Sequence, residues 1–136
     1  MAADAETLAP FTCLVADYSQ FARRNIGGII SRMGGTVVGE AADGIEAVVL
    51  YGKLRPDLVI LDITMPQLDG IATLGKIMEQ DKNAKVVIIS ALGNKDMVWK
   101  AITLGAKSFI TKPYTPEYAA MIIQDILRGR SSGRQS

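Results

Sequence analysis

Asp57-Leu58-Val59-Ile60-Leu61-Asp62-Ile63-Thr64-Met65-Pro66 is the stretch on which the fold turns. Leu58 to Leu61 is an unbroken apolar run with no alternation, the pattern of a strand covered on both faces at the centre of a parallel sheet. Asp62 follows that run directly, although Asp is depleted in strands, and Met65-Pro66 ends the extended segment. A carboxylate at the carboxyl end of a buried parallel strand stands where open α/β sheets build their sites. Asp62 is therefore the expected reactive group.

Similar apolar runs flank this one. Phe11 to Ala16 ends at Asp17, Thr36 to Ala41 precedes Asp43-Gly44, Lys85 to Ile89 ends at Ser90, and Lys107 to Thr111 is followed by Lys112. Between them lie helical segments. Ser19 caps the first, which runs to about Arg32 with Phe21, Ala22, Ile26, Ile29, Ile30 and Met33 inward and Gly34-Gly35 closing it. Asp43-Gly44 opens the second, whose buried side is read as Ile45, Ala47, Val48, Leu50 and Tyr51, and Arg55-Pro56 ends it. Leu68-Asp69-Gly70 leads into the third, through about Gln80. Asn94 to Leu104 is the fourth, stopped by Gly105, and Thr115-Pro116 starts the last, which runs to about Arg128. Five strands alternating with five helices predict an α/β fold: a doubly wound, five-stranded parallel sheet with right-handed crossovers and helices on both faces, flavodoxin-like.

At 136 residues the chain is one domain, expected over 11–128, with a loose lead over 1–10 and a polar tail over 129–136. The 49% hydrophobic and 21% charged composition is that of a globular protein, and a net charge of +1 offers no field for nucleic acid. Asp4 and Glu6 interrupt any signal-like segment, and no apolar run approaches membrane length, so a cytoplasmic protein is expected. The single cysteine, Cys13, allows neither an internal disulfide nor a cysteine-built zinc site, and its apolar surroundings mark it as a core residue. The absence of histidine excludes Ser-His-Asp and Cys-His catalysis, histidine-bound metal, and a protein phosphorylated on its own histidine.

Asp17, Asp62, Ser90 and Lys112 all fall at the carboxyl edge of the expected sheet. Two neighbouring carboxylates repel unless a cation lies between them. Oxygen ligands with room for water suit Mg²⁺ better than a transition metal. A carboxylate nucleophile, a divalent cation, a lysine and a hydroxyl are the parts of a phosphoryl-transfer site. Each residue has a blander reading alone: Lys112 as a solvated lysine, Ser90 and Asp17 as helix caps. Asp62 is the hardest to explain away.

These residues carry a resemblance. Leu14-Val15-Ala16-Asp17-Tyr18-Ser19, Ala42-Asp43-Gly44, Leu58 through Pro66, Ser90-Ala91 and Phe109-Ile110-Thr111-Lys112-Pro113 together resemble a receiver domain of two-component response regulators, over roughly Phe11 to Arg128. The resemblance implies that Asp62 accepts phosphate from the phosphohistidine of a sensor histidine kinase. It implies further that Asp17, Asp62 and the main-chain carbonyl of Thr64 hold Mg²⁺, that Ser90 and Lys112 contact the phosphoryl oxygens, and that the Lys112-Pro113 bond is cis. Ser90 and Phe109 would form the switch; because Phe109 has no hydroxyl, switching would be steric. Lys95, Trp99, Tyr118 and Ile122 are candidates for the partner face on the fourth and fifth helices, and Met97, Val98, Ala101 and Ile102 form the inward stripe of the fourth. Such a protein is not an enzyme in the turnover sense and catalyses only its own phosphorylation and dephosphorylation. One departure stands out: receivers usually carry two adjacent acids after the first strand, and here the first is Ala16, which implies weaker Mg²⁺ binding.

Ser90 through Lys107 resembles stand-alone chemotaxis receivers of the CheY type, whose downstream protein is the flagellar motor switch. The same site would serve a phosphorelay intermediate that passes phosphate to a histidine phosphotransfer protein, or a receiver cut from a larger regulator. An aspartate-nucleophile phosphatase of the haloacid dehalogenase type would need an Asp where Thr64 stands. A flavodoxin-like cofactor binder would need a glycine-bearing phosphate loop where Asp17-Tyr18-Ser19-Gln20 stands. A pure interaction module would have a dead site.

Overall fold

The computed structural model describes residues 9–65 and 69–129. Its elements in chain order are β1 (Phe11–Ala16), α1 (Gln20–Arg32), β2 (Gly35–Ala41), α2 (Gly44–Leu54), β3 (Leu58–Asp62), α3 (Gly70–Gln80), β4 (Val86–Ala91), α4 (Lys95–Leu104), β5 (Ser108–Lys112) and α5 (Pro116–Leu127). Every strand pair is parallel and the strand order is β2-β1-β3-β4-β5. The expected doubly wound sheet is therefore observed. Pro66 and Leu68, like residues 1–8 and 130–136 of the expected lead and tail, lie outside the described residues.

All five residues of β3 are buried, as the unbroken run Leu58 to Leu61 required of a strand with helices on both sides. On one face Leu14, Val59, Leu61, Val86 and Ile88 pack against Ala47 and Tyr51 of α2, Leu74 and Ile77 of α3, and Ala101 of α4. On the other, Cys13, Val15, Leu58, Ile60, Val87 and Ile110 pack against Ile26, Ile29 and Ile30 of α1 and Ala119, Ile122, Ile123 and Ile126 of α5. Cys13 has no exposed surface, and burial pushes its thiol up to about 12. It is a core side chain, as expected.

Local chemistry starts four of the helices. The side chains of Ser19, Asp43, Asp69 and Thr115 accept from the backbone N–H of Ala22, Glu46, Ala72 and Tyr118. At α2 the Glu46 side chain also reaches back, accepting at 2.9 Å from the N–H of Ala42, the residue before the cap. Strand ends moved by a residue: β4 and β5 each run one or two residues past the expected limits, so Ser90 and Lys112 lie within strands rather than after them.

The structure corrects three side-chain placements. Phe21 is 81% exposed; it lies five residues before Ile26, about 140° around the helix from the inward stripe. Ile45 is 56% exposed because the buried residues of α2 are Ala47 and Tyr51, and Ile45 is two residues, about 200°, from Ala47. Ile122 is buried and does not belong to an exposed partner face. Ala119, Ile122, Ile123 and Ile126 form one i, i+3, i+4, i+7 stripe against the sheet.

Candidate functional site

β1 and β3 are neighbours in register, with Ala16 opposite Leu61. One residue further, Asp17 and Asp62 leave adjacent strand ends at the same level, both buried. Lys112 ends β5 and reaches between them: its Nζ lies 3.4 Å from Asp17 Oδ2 and 4.0 Å from Asp62 Oδ2. The lysine side chain is 39% exposed, so water reaches the site from its side. The Lys112-Pro113 peptide is cis, as expected.

Each carboxylate is oriented by its own chain. Asp62 Oδ1 accepts from the Thr64 N–H at 3.0 Å and from Thr64 Oγ1 at 2.9 Å. Asp17 Oδ1 accepts from the Ser19 N–H at 2.9 Å. In both residues Oδ2 is the oxygen that faces the ammonium. Ser90 is buried one register step beyond the Asp62–Ile89 pair, and opposite Thr111. Phe109 is half-buried against the same apolar cluster as Met97 and Ile102 of α4.

Two carboxylates and one ammonium leave the site short of positive charge. Among the described residues no group of three or more Asp, Glu, Cys and His side chains gathers around a common point. A donor set of two buried carboxylate oxygens with space on a solvent-facing side fits a hard divalent cation that keeps several waters. Asp17 and Asp62 are the side chains that could hold it.

Arg23 was not singled out by sequence. Its Nη1 donates to the carbonyls of Asp17, at 2.7 Å, and Tyr18, at 3.2 Å. A sign was present: a cation in the first turn of a helix runs against the dipole. Tyr114 was also missed. Burial raises its phenol above the ordinary range, against the opposing Asn25 hydrogen bond and Lys112 charge, and its hydroxyl accepts from Asn25 Nδ2 at 3.4 Å. No periodic pattern marks a residue in that loop. Of the expected partner-face residues, Lys95 is exposed, Trp99 is 67% exposed and Tyr118 is 37% exposed.

The family profile of the response regulator receiver domain matches residues 13–124. The chemotaxis protein CheY of Treponema pallidum is 48% identical over 122 residues, covering 88% of this chain and 85% of that protein. CheY of Thermotoga maritima is 47% identical, covering 76% and 86%. Among solved structures, the CheX–CheY–BeF3–Mg²⁺ complex from Borrelia burgdorferi superposes with a TM-score of 0.82 at 41% identity, over 85% of this chain and 88% of that one. With the sheet order and the Asp17–Lys112–Asp62 edge already established, these matches make the chain a member of the response regulator receiver domain family, closely related to the CheY chemotaxis proteins.

Proposed function

We propose that the receiver unit, residues 11–128, is phosphorylated on Asp62 by a sensor histidine kinase and thereby changes its affinity for a downstream protein in chemotaxis or motility signalling. The observation that carries this reading is the pair of buried carboxylates at adjacent strand ends with one lysine ammonium reaching both. Asp62 Oδ1 is occupied by the two Thr64 donors, which leaves Oδ2 to attack phosphorus. The new bond is Oδ2–P; the P–N bond of the phosphohistidine breaks, and its electron pair returns to the imidazole, which leaves. Lys112 then balances charge on the phosphoryl oxygens, and the Ser90 hydroxyl donates to one of them.

Asp17, Asp62 and the Thr64 carbonyl would hold Mg²⁺, whose contribution is to offset charge among the phosphoryl oxygens. With Ala16 where a second acid commonly stands, Asp17 carries that role alone, and Mg²⁺ binding is correspondingly weak. Phosphorylation adds about −1.5 to −2 charges beside Asp17. Ser90 follows the new oxygens, and half-buried Phe109 is positioned to pass the movement on by packing. A coupling on the order of 1–3 kcal/mol would alter partner affinity usefully. Lys95, Trp99 and Tyr118 are the proposed contact residues, with the flagellar motor switch or a phosphotransfer protein as partner. The Borrelia CheY in the solved complex is bound to another protein, CheX, which supports a protein as a binding partner.

Incubation with acetyl phosphate and Mg²⁺, followed by mass spectrometry, tests the reading. The wild type should gain one phosphoryl group, and Asp62→Asn or excess EDTA should abolish the gain. Failure of the wild type to gain it would overturn the proposal.

A further inference from the structure

Arg23 is held in an unusual way for a helical arginine near a strand edge. Its side chain is only 14% exposed, and Nε donates to Glu40 Oε1 at 2.8 Å. That ion pair fixes the plane of the guanidinium, and Nη1 is directed at the carbonyls of Asp17 and Tyr18. Asp17 also donates its N–H to the Ala41 carbonyl at 3.0 Å and accepts from Ser19 through Oδ1. N–H, carbonyl and Oδ1 are thus anchored by β2, α1 and the β1–α1 turn. The remaining oxygen, Oδ2, is turned towards Lys112.

We propose that the Arg23–Glu40 pair is a positioning device for Asp17 that sets the Mg²⁺ affinity of the site. This rests on reading the site as a Mg²⁺-dependent phosphoryl acceptor. Two effects of Arg23 have opposite signs. As a nearby positive charge it would repel a cation; as an anchor of the Asp17 carbonyl it would favour one. Glu40 at 2.8 Å cancels most of the field, so the anchoring effect dominates. Ala16 sharpens the dependence, because no second acid compensates for a displaced Asp17.

Calorimetric titration of the full chain with MgCl2 separates the two. Arg23→Ala should weaken Mg²⁺ binding roughly tenfold, the lower end for loss of an outer-shell partner. Arg23→Lys, which keeps the charge but not the fork, should fall between. The acetyl phosphate reaction of Arg23→Ala should need more Mg²⁺ yet return to within about twofold of the wild-type rate at saturation, as loss of uniform binding requires. Unchanged or tighter Mg²⁺ binding by folded Arg23→Ala would overturn the proposal. If Arg23→Ala does not fold by circular dichroism, wild-type affinity in Arg23→Lys overturns it instead. A wild type that binds no Mg²⁺ and takes no phosphoryl group overturns the site reading and this proposal together; normal wild type with indifferent variants overturns the positioning role alone.

Discussion

Replacing Gly70 by Ala sets two effects of opposite sign against each other. Gly70 opens α3, and within a helix Ala is favoured over Gly by about 1 kcal/mol. Propensity therefore predicts a gain. A Cβ at Gly70 would, however, run into the Ile63 Cα and lie 2.7 Å from the Asp62 carbonyl oxygen and 2.8 Å from the Ile63 carbonyl carbon. These are main-chain atoms, so no rotamer change relieves the clash. The start of α3 must retreat by on the order of 1 Å to restore ordinary contact. That retreat breaks the bond from the Gly70 N–H to the Ile63 carbonyl, worth about 1 kcal/mol. It also lifts the fully buried Leu74 and Ile77 from the sheet. With overpacking at about 1–3 kcal/mol, and after subtracting the propensity gain, the net loss should be roughly 2 kcal/mol, large against a typical total of about 5–15 kcal/mol. Part of the clash is taken up by the Asp62–Ile63 main chain instead of by the helix, and a partial displacement of the nucleophile should slow acetyl phosphate labelling by about tenfold. Gly75 on the same helix is the control: nothing lies within 4 Å of its Cβ, and Gly75→Ala should gain up to about 1 kcal/mol. Urea unfolding followed by circular dichroism measures both. Wild-type stability and labelling in Gly70→Ala, with Gly75→Ala behaving as stated, would refute the claim that this close approach holds α3 against the site.

Other expectations follow from particular groups. Burial, reinforced by the hydrogen bond to Asp81 and its charge, pushes the Tyr51 phenol from 10.0 up to about 12, and burial pushes the Cys13 thiol from 9.0 to about 12. Both are raised in the fold, so their contribution is complete below the unfolded values and is lost as pH climbs from about 9 towards 12. Tyr51→Phe should flatten the fall above pH 10 in urea midpoints, and an equally steep fall would contradict its role. Thr12 and Asp57 exchange three hydrogen bonds, of 2.9, 3.2 and 3.0 Å, where β1 and β3 begin. Asp57→Ala should cost about 1–2 kcal/mol in unfolding free energy, and a change near zero would show the pair to be idle. Trp99→Ala should leave stability within about 0.5 kcal/mol and weaken binding of the phosphorylated chain to its output protein at least about tenfold. Equal affinity in a fluorescence titration would remove Trp99 from the proposed face.

The sheet was legible because its strands announce themselves locally. Runs such as Leu58–Leu61 and Val86–Ile89 need no knowledge of their neighbours to be read as buried on both sides, and Asp17, Asp62 and Lys112 stand out as charges at the ends of such runs. What could not be read depends on pairing. Cys13 faces Val37 but Leu14 faces Gly39, so Val38 is an extra residue bulged out of the edge strand, 38% exposed. The alternation in Thr36–Ala41 cannot show which residue is skipped, because the partner strand decides it. The same holds for helix faces: a shift of one or two positions in the inward stripe exposes Phe21 and Ile45 and buries Ile122. Arg23 escaped notice because its partners, Glu40 and the Asp17 carbonyl, meet it only when β1, β2 and α1 are assembled.

Among the described residues the polar chemistry divides between the two edges of the sheet, and the division fits the switch proposed for one of them. In a parallel α/β sheet, strand starts and helix ends share one edge. There Thr12 and Asp57 satisfy each other. Nearby, Asp81 accepts from the Tyr51 hydroxyl at 2.8 Å and from the Asn83 N–H at 2.9 Å, with Arg55 at 3.5 Å and also over the Tyr51 ring. These groups are matched donor to acceptor, and Asp81 is matched in charge by Arg55, so a ligand would gain little by displacing them. At the opposite edge Asp17 and Asp62 share one ammonium at 3.4 and 4.0 Å, both beyond ordinary charge-assisted hydrogen-bond length. A cation or a phosphoryl group can shorten and add contacts there without first breaking good ones. The strand order places the two carboxylates together, and the mismatch in charge at that edge would give a bound group its leverage over the neighbouring loops.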